Sequence, residues 1–441
     1  MKILKRILLL LSIILTVVVF INYPKLNMLS GYAAKNTASS VFVAERNLDF
    51  TNNTDNNFSP VNLATNTVNS DEKTATSSAF GLLTRNAIYR EGLGAVLTLS
   101  DEDETATYLT PKRSVPDNKT PYPYGNAPQK DTIFKNVDYN LLNETLDILF
   151  DEKNKTRAAI VIYKDQIIAE KYAKGFTKES KILGWSMTKS ITSTIFGILE
   201  HQNKINVQEK APIEAWKDDD RSKITIHNLL QMNSGLAWDE NYDKISDATK
   251  MLFLERDMTK TQVYKEFAGK PNESWNYSSG TTNLLSGILR NEFNTHQEYL
   301  DFWYTQLIDK IGMNSMLIET DLEGNYVGSS YAWATPRDWA KLGLLYLKNG
   351  NWLGEQIFTK KWVDYATTPT PSSNGWYGAQ IWLNAGNRYP SAPSNMYFFS
   401  GYQGQNVFIL PNENLVIVRM GLSKNADVDE LLKGVINSIQ N

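Results

Sequence analysis

The 441-residue chain contains no cysteine, only three histidines and no surplus of basic residues. Without cysteine there is neither a disulfide framework nor a lipid-attachment site, an absence that suits an oxidising exterior without establishing one. Lys and Arg total 45 against 48 Asp and Glu, a formal net charge of -3 with no basic tail, so nothing in the charge marks a nucleic-acid partner. The histidines, His201, His227 and His296, lie in helical patterns away from any glycine-flanked serine and read as structural or surface residues. No His/Cys/Asp cluster shows ligand spacing, so neither a metal nor another cofactor is expected. There is no internal repeat.

What is present is an ordinary globular composition, 42% hydrophobic and 21% charged, in a chain long enough to bury a large core. Lys2, Lys5 and Arg6 precede an uncharged apolar run from Ile7 to Ile21, extended by Asn22 and Tyr23. That run reads as an export signal or a short membrane anchor whose basic end stays in the cytoplasm. No small-x-small cleavage site follows directly, because Asn22 to Asn27 is bulky and polar. The preferred reading is an uncleaved anchor, with a cleaved signal and a buried soluble helix as alternatives. The remainder is then exported, to the periplasm or the extracellular space.

Three regions follow from the pattern: residues 1–24 as signal or anchor, 25–135 as an irregular extension, and 136–441 as the main domain. Within the extension, Thr51 to Ser78 is rich in Asn, Thr and Ser and reads as an exposed loop or linker. Arg90 to Leu99 predicts a turn and a strand, and Pro111 to Pro128 a connector. The main domain opens with a helix over Tyr139 to Asp151, followed by a hairpin of Ala158–Tyr163 and Ile167–Tyr172. Helical patterns come next, at His227–Met232, Asp247–Arg256, Thr259–Glu266, Thr281–Asn291 and His296–Ile311. A second hairpin, Gln405–Leu410 and Leu415–Met420, and a closing helix over Asp427 to Ile439 end the chain. Hairpins and helices at both ends of the domain predict an α/β (α+β) fold, an antiparallel sheet flanked by terminal helices plus a mostly helical subdomain.

Ser186-Met187-Thr188-Lys189 opens a helix running to about Gln202. Residues three apart share a helix face, so the Lys189 amine can reach the Ser186 hydroxyl. A lysine serves as base only when partly neutral, which burial can bring about. The motif alone is weak, since Ser70-Asp71-Glu72-Lys73 fits it too, in the Asn/Thr/Ser-rich stretch. Context separates them: the helix after Ser186 carries apolar Ile191, Ile195, Phe196, Ile198 and Leu199 beside small Ser190, Thr192, Ser193 and Thr194, so it can be buried tightly. On these features alone Ser186 is either a nucleophile or an ordinary capping serine.

Two later stretches decide between them. Asn276-Tyr277-Ser278-Ser279-Gly280 and Ser400-Gly401-Tyr402-Gln403-Gly404-Gln405 follow in order. With Ser186-x-x-Lys189 they make the chain resemble the penicillin-recognising serine hydrolases, in the class C β-lactamase-like branch that includes esterases and 6-aminohexanoate-oligomer hydrolases. Leu229 to Leu236 and Ala334 to Gly343 support the resemblance, which covers about Tyr139 to Asn441. It implies a β-lactamase/transpeptidase-like fold and an acyl-enzyme on Ser186, with Lys189 as base and Tyr277 as acid and base partner. It also implies an oxyanion hole from the backbone N–H groups of Ser186 and of Tyr402, or of Gln403 if the register shifts by one. Ser279, Ser400, Gly401 and Gln403 become candidate substrate contacts, and Tyr242 resembles a tyrosine on a loop over the site, a contact or a packing residue. Trp185, Trp238, Trp275 and Trp376 are candidate pocket walls or core.

The departures bear on substrate. Ser279 stands where β-lactamases usually have asparagine, and Ser400-Gly401-Tyr402 where they have Lys-Thr-Gly. Loss of that lysine removes a partner for a substrate carboxylate. The expectation is therefore a small ester or amide substrate. The alternatives are a weak β-lactamase or D-alanyl peptidase, and a catalytically idle module that binds peptidoglycan-like ligands.

Overall fold

In the computed structural model, which describes residues 2–114 and 119–440, contacts divide the chain into two units. One is Met1–Thr107 with Asp239–Arg256, the other Tyr108–Trp238 with Asp257–Asn441. Part of the Pro111 to Pro128 connector, residues 115–118, lies outside the described residues.

The first unit is built on one helix, Lys2–Phe42, that changes character along its length. Ile3–Phe20 has a mean hydropathy of 2.6, has no buried residue among those described, and is long and apolar enough to cross a membrane. From Leu29 to Ser40 the helix is instead almost wholly buried and lined by Gly31, Ala33, Ala34, Thr37, Ala38, Ser39 and Ser40. Such small side chains let a sheet approach the helix axis closely. That sheet is an antiparallel meander of β1 (Ala64–Asn69), β2 (Thr74–Ala79), β3 (Leu83–Arg90) and β4 (Gly94–Leu97).

The Asn-, Thr- and Ser-rich stretch Thr51 to Ser78, read from sequence as a loop, thus contains β1 and most of β2. Its period of two is written in small residues: Ala75, Ser77 and Ala79 are buried while Thr74, Thr76 and Ser78 are half-buried. β-Branched Thr suits the pleated surface, and a search for alternating large apolar residues does not see this pattern. The second Ser-x-x-Lys, Ser70 to Lys73, forms the β1–β2 turn, with Lys73 at φ 52°, so its two ends share no helix face.

In the second unit, β5 (Thr156–Tyr163) and β6 (Gln166–Tyr172) are joined by Lys164 and Asp165, both at positive φ, as a two-residue hairpin requires. Short strands β7 (Ile182–Leu183), β8 (Leu317–Ile318) and β9 (Ala332–Ala334) form a separate sheet, and β10 (Asn351–Trp352) pairs with β11 (Glu355–Gln356). β12 (Trp382–Leu383), β13 (Tyr397–Gly401), β14 (Gln405–Leu410) and β15 (Leu415–Gly421) complete the main sheet, antiparallel in the order β12-β13-β14-β15-β5-β6.

Alternation along these strands serves two buried faces. Val161, Phe408 and Ile417 pack with Leu142, Leu146, Leu432 and Val435 of the helices Tyr139–Leu149 and Val428–Ser438. On the other face, Val407 and Val416 meet Gly343 of the helix Pro336–Leu347, where a Cβ would lie 2.7 Å from Val407. The expected sheet, terminal helices and mixed α/β composition are all present. One expected helix is not: Thr259–Glu266 is a run of turns. The Val263 carbonyl accepts from Trp216 Nε1 at 2.7 Å and from Arg221 at 3.1 Å, and the Lys265 carbonyl also accepts from Arg221. Side chains from elsewhere thereby take acceptors that a helix would use for its own ladder.

Candidate active site

β7 ends at Leu183 and the chain turns sharply through Gly184 into Trp185, at φ 48°. A bulky residue in the left-handed region is uncommon and costs about 1–3 kcal/mol, so the surrounding structure must hold it there. The Trp185 ring does this by packing against Tyr402 (5.6 Å between centroids) and Tyr331 (6.0 Å). One 3-10 turn, Trp185–Met187, then leads into the helix Thr188–His201. Between Ile182 and Ser190, Ser186 alone is not fully buried.

That helix is stitched in place by its own hydroxyls. Ser190 and Ser193 donate to the carbonyls of Gln380 and Ala379, and Thr192 to the carbonyl of Gly328. Thr188 donates to Trp185 O and accepts from Ala332 N. Each buried polar group is paired, so the small residues that allow tight packing also fix the helix's position. Lys189 projects from it with only 1% of its surface exposed. Its Nζ donates to Ser186 Oγ at 3.2 Å, to Ser279 Oγ at 2.9 Å and to the Ser329 carbonyl at 2.9 Å. It also lies 4.8 Å from the centre of the Tyr277 ring.

Ser186, Lys189, Tyr277 and Ser279 therefore converge. Ser279 is the first residue of the helix Ser279–Asn291 and is fully buried against Lys189, a position that faces the amine rather than an open cleft. Tyr277 is half-buried in an aromatic group with Trp382 at 5.2 Å and Tyr377 at 5.7 Å, Trp275 packing on both. Ser400 and Gly401 end β13 next to the serine: a Cβ on Gly401 would fall on the Gly184 carbonyl and 3.2 Å from Ser186 N. Only glycine permits that approach. Tyr402, Gln403 and Gly404 turn the chain into β14, Gln403 at φ 60°. Tyr242 falls in the first unit, where its hydroxyl donates to Glu240 at 2.8 Å. Of the tryptophans, Trp185 and Trp238 are buried, Trp275 is half-buried and Trp376 is exposed. His227 pairs with the Tyr365 hydroxyl and His296 with the Gly324 carbonyl, and burial lowers the pKa of both.

Sequence reading missed Ser329, Gln380 and Arg419. Gln380 accepts from Thr282 and donates to the Leu230 carbonyl, tying two helices to the helix Thr188–His201, whose Ser190 donates to its carbonyl. Arg419 is fully buried in β15 and donates to the carbonyls of Gly404 (2.7 Å), Gln403 (3.3 Å), Ser423 (3.5 Å) and Asn154 (2.5 Å) and to Thr156 Oγ1 (3.2 Å). Burial, with Arg157 nearby, pushes its pKa down to about 10, so it remains a cation at neutral pH. It pins the Tyr402–Gly404 turn from behind. An arginine inside the apolar run Leu415 to Met420 was the available signal.

The Beta-lactamase family profile matches residues 148–432. A 6-aminohexanoate-dimer hydrolase of Paenarthrobacter ureafaciens is 24% identical over 298 residues, 61% of this chain and 73% of that protein. Among solved structures, a putative 6-aminohexanoate-dimer hydrolase from Bacillus anthracis superposes with a TM-score of 0.55 at 23% identity, covering 67% of this chain and 80% of that one. A family VIII carboxylesterase gives 0.52 at 12% identity, covering 68% and 97%. Fold and relatives define a serine hydrolase. The chain belongs to the Beta-lactamase family and has its β-lactamase/transpeptidase-like fold.

Proposed function

We propose that the protein is a membrane-tethered serine hydrolase that cleaves a small ester or amide through an acyl-enzyme on Ser186. The observation that carries this reading is the buried Lys189 amine, 3.2 Å from the part-exposed Ser186 hydroxyl at the start of a buried helix. Lys189 takes the hydroxyl proton as Ser186 Oγ attacks the substrate carbonyl carbon. The backbone N–H groups of Ser186 and Tyr402 hold the resulting oxyanion, at about 3 kcal/mol each. Collapse expels the alcohol or amine, which leaves with a proton passed through Tyr277. Water, deprotonated by the same pair, then releases the acid and restores Ser186.

Ser279 hydrogen-bonds Lys189, which supports a part in orienting the amine. Ser400, Gly401 and Gln403 remain the candidate substrate edge. Ser400, in place of a lysine, supports substrates without a carboxylate to recognise. The names of the hydrolase relatives support amides and esters as the substrate class. The apolar Ile3–Phe20 helix, preceded by Lys2, supports an anchor with the rest of the chain outside the cytoplasm.

The test compares turnover of p-nitrophenyl butyrate, linear 6-aminohexanoate dimer and a chromogenic cephalosporin. Ester or amide turnover far above cephalosporin turnover is expected. Cephalosporin as the best substrate moves the assignment to a β-lactamase, and no turnover of any of them, with the protein folded, moves it to a binding module.

A further inference from the structure

The first unit carries exposed apolar side chains at one end of its sheet. Leu63, Phe80 and Leu82 are 49%, 61% and 63% exposed. The register Ala64↔Ala79 and Ala79↔Leu83 gathers them at that end, because each sits one residue beyond a paired position. Phe80 and Gly81 form the β2–β3 turn at φ 53° and 67°, and a Cβ on Gly81 would meet nothing within 4 Å. Asn or Gly is usual in such a turn, so a projecting phenylalanine in the left-handed region is unfavourable both in backbone and in water.

The position of this tip along the helix gives it a use. Ser30 Oγ donates to the Leu83 carbonyl at 2.8 Å and accepts from Ala79 N at 3.1 Å. At the other end of β3, the Tyr89 ring lies tilted against that of Phe42, 5.9 Å between centroids. β3 therefore runs alongside the helix from Ser30 toward Phe42, and the turn before it points back toward the apolar stretch. Starting at Ile7, just after Lys5 and Arg6, about 20 helical residues cover the roughly 30 Å hydrocarbon layer, which ends near Leu26. Ser30 then stands about 6 Å above that boundary, and the tip, one to two strand residues lower, about 1 Å above it, at the base of the headgroup layer. The headgroup layer is roughly 5–8 Å deep on each side. At the same level the helix exposes Tyr23 and Lys25, an aromatic and a cation of the kind that sit at lipid interfaces.

We propose that Leu63, Phe80 and Leu82 form a second membrane contact, seated in the lipid headgroup layer beside the helix that crosses the bilayer. This inference rests on the anchor reading given above. Two contacts on one helix-and-sheet unit hold its sheet upright on the membrane, where the helix alone, with Pro24 between its apolar stretch and the sheet, leaves it free to tilt.

Because the chain has no cysteine, single cysteines can be labelled in the full-length protein without background. Leu82→Cys, Leu11→Cys in the apolar helix and Ser70→Cys at the opposite end of the sheet would each carry an environment-sensitive fluorophore. The labelled proteins are placed in nanodiscs of phosphatidylcholine and phosphatidylglycerol. Labels at 82 and 11 are expected to lose most of their emission to nitroxide-bearing lipids and little to iodide, and the label at 70 the reverse. If 11 is quenched by lipid but 82 is reached by iodide, the second contact is wrong and the anchor stands. If 82 is shielded from both quenchers, protein covers the tip and the proposal falls. If 11 itself escapes the lipid quencher, the anchor reading fails and takes the proposal with it.

Discussion

Lys189 and Arg419 are buried basic side chains set among neutral oxygens in the second unit, and the chemistry of each follows from which oxygens those are. Lys189 meets two hydroxyls and a carbonyl, and one of those hydroxyls, on Ser186, has access to solvent. Replacing it by methionine keeps the volume and removes the proposed base, so kcat is expected to fall by about 10²–10⁴ with little change in the urea midpoint. A comparable fall in stability instead would make Lys189 a structural residue. Arg419 meets four carbonyls and a hydroxyl, and its loss strands the buried Gln403 and Asn154 carbonyls among them. Arg419→Met is expected to cost at least about 3 kcal/mol, seen as a lower urea midpoint at unchanged slope. Its ammonium analogue, Arg419→Lys, restores fewer of those bonds and should fall between.

Two elements meet at Ser186: the turn from β7 into the helix Thr188–His201, and the end of β13. Gly401 is where they touch. Gly401→Ala pushes a Cβ onto the Gly184 carbonyl, which must displace β13 from the serine. A shift of about 1 Å there can cost 10²-fold, so kcat/KM is expected to drop by about that factor while circular dichroism is unchanged. Activity within twofold of the parent would mean that β13 does not shape the site. At the β5–β6 turn, Lys164→Asn suits φ 46° better than lysine does and should raise stability by about 0.5 kcal/mol, read as a small rise in melting temperature.

These elements also show what could be read in advance. The β5–β6 and β14–β15 hairpins and both terminal helices were legible because large apolar residues repeat at the strand or helix period. β1 and β2 were not, because their buried face is Ala and Ser. The Thr259–Glu266 pattern misled because Trp216 and Arg221, forty residues away in sequence, claim its carbonyls. At the site, Ser186, Lys189 and Tyr277 stood in local motifs. Ser329 contributes only a main-chain oxygen, which no side-chain pattern announces.

For the whole molecule, the proposed anchor in the apolar half of the first helix would give the hydrolase unit a location as well as a chemistry. Full-length protein expressed in bacteria is expected to sediment with membranes, to resist alkaline carbonate and to be released by detergent; release by carbonate alone would remove the tether. The catalytic claim has a more direct test. The full-length protein in detergent is incubated with a fluorophosphonate and its intact mass compared with that of Ser186→Ala treated alike. One adduct on the parent and none on the variant is the expected result. An adduct that persists in Ser186→Ala, or none on a folded parent that also fails to turn over esters, would contradict Ser186 as the nucleophile.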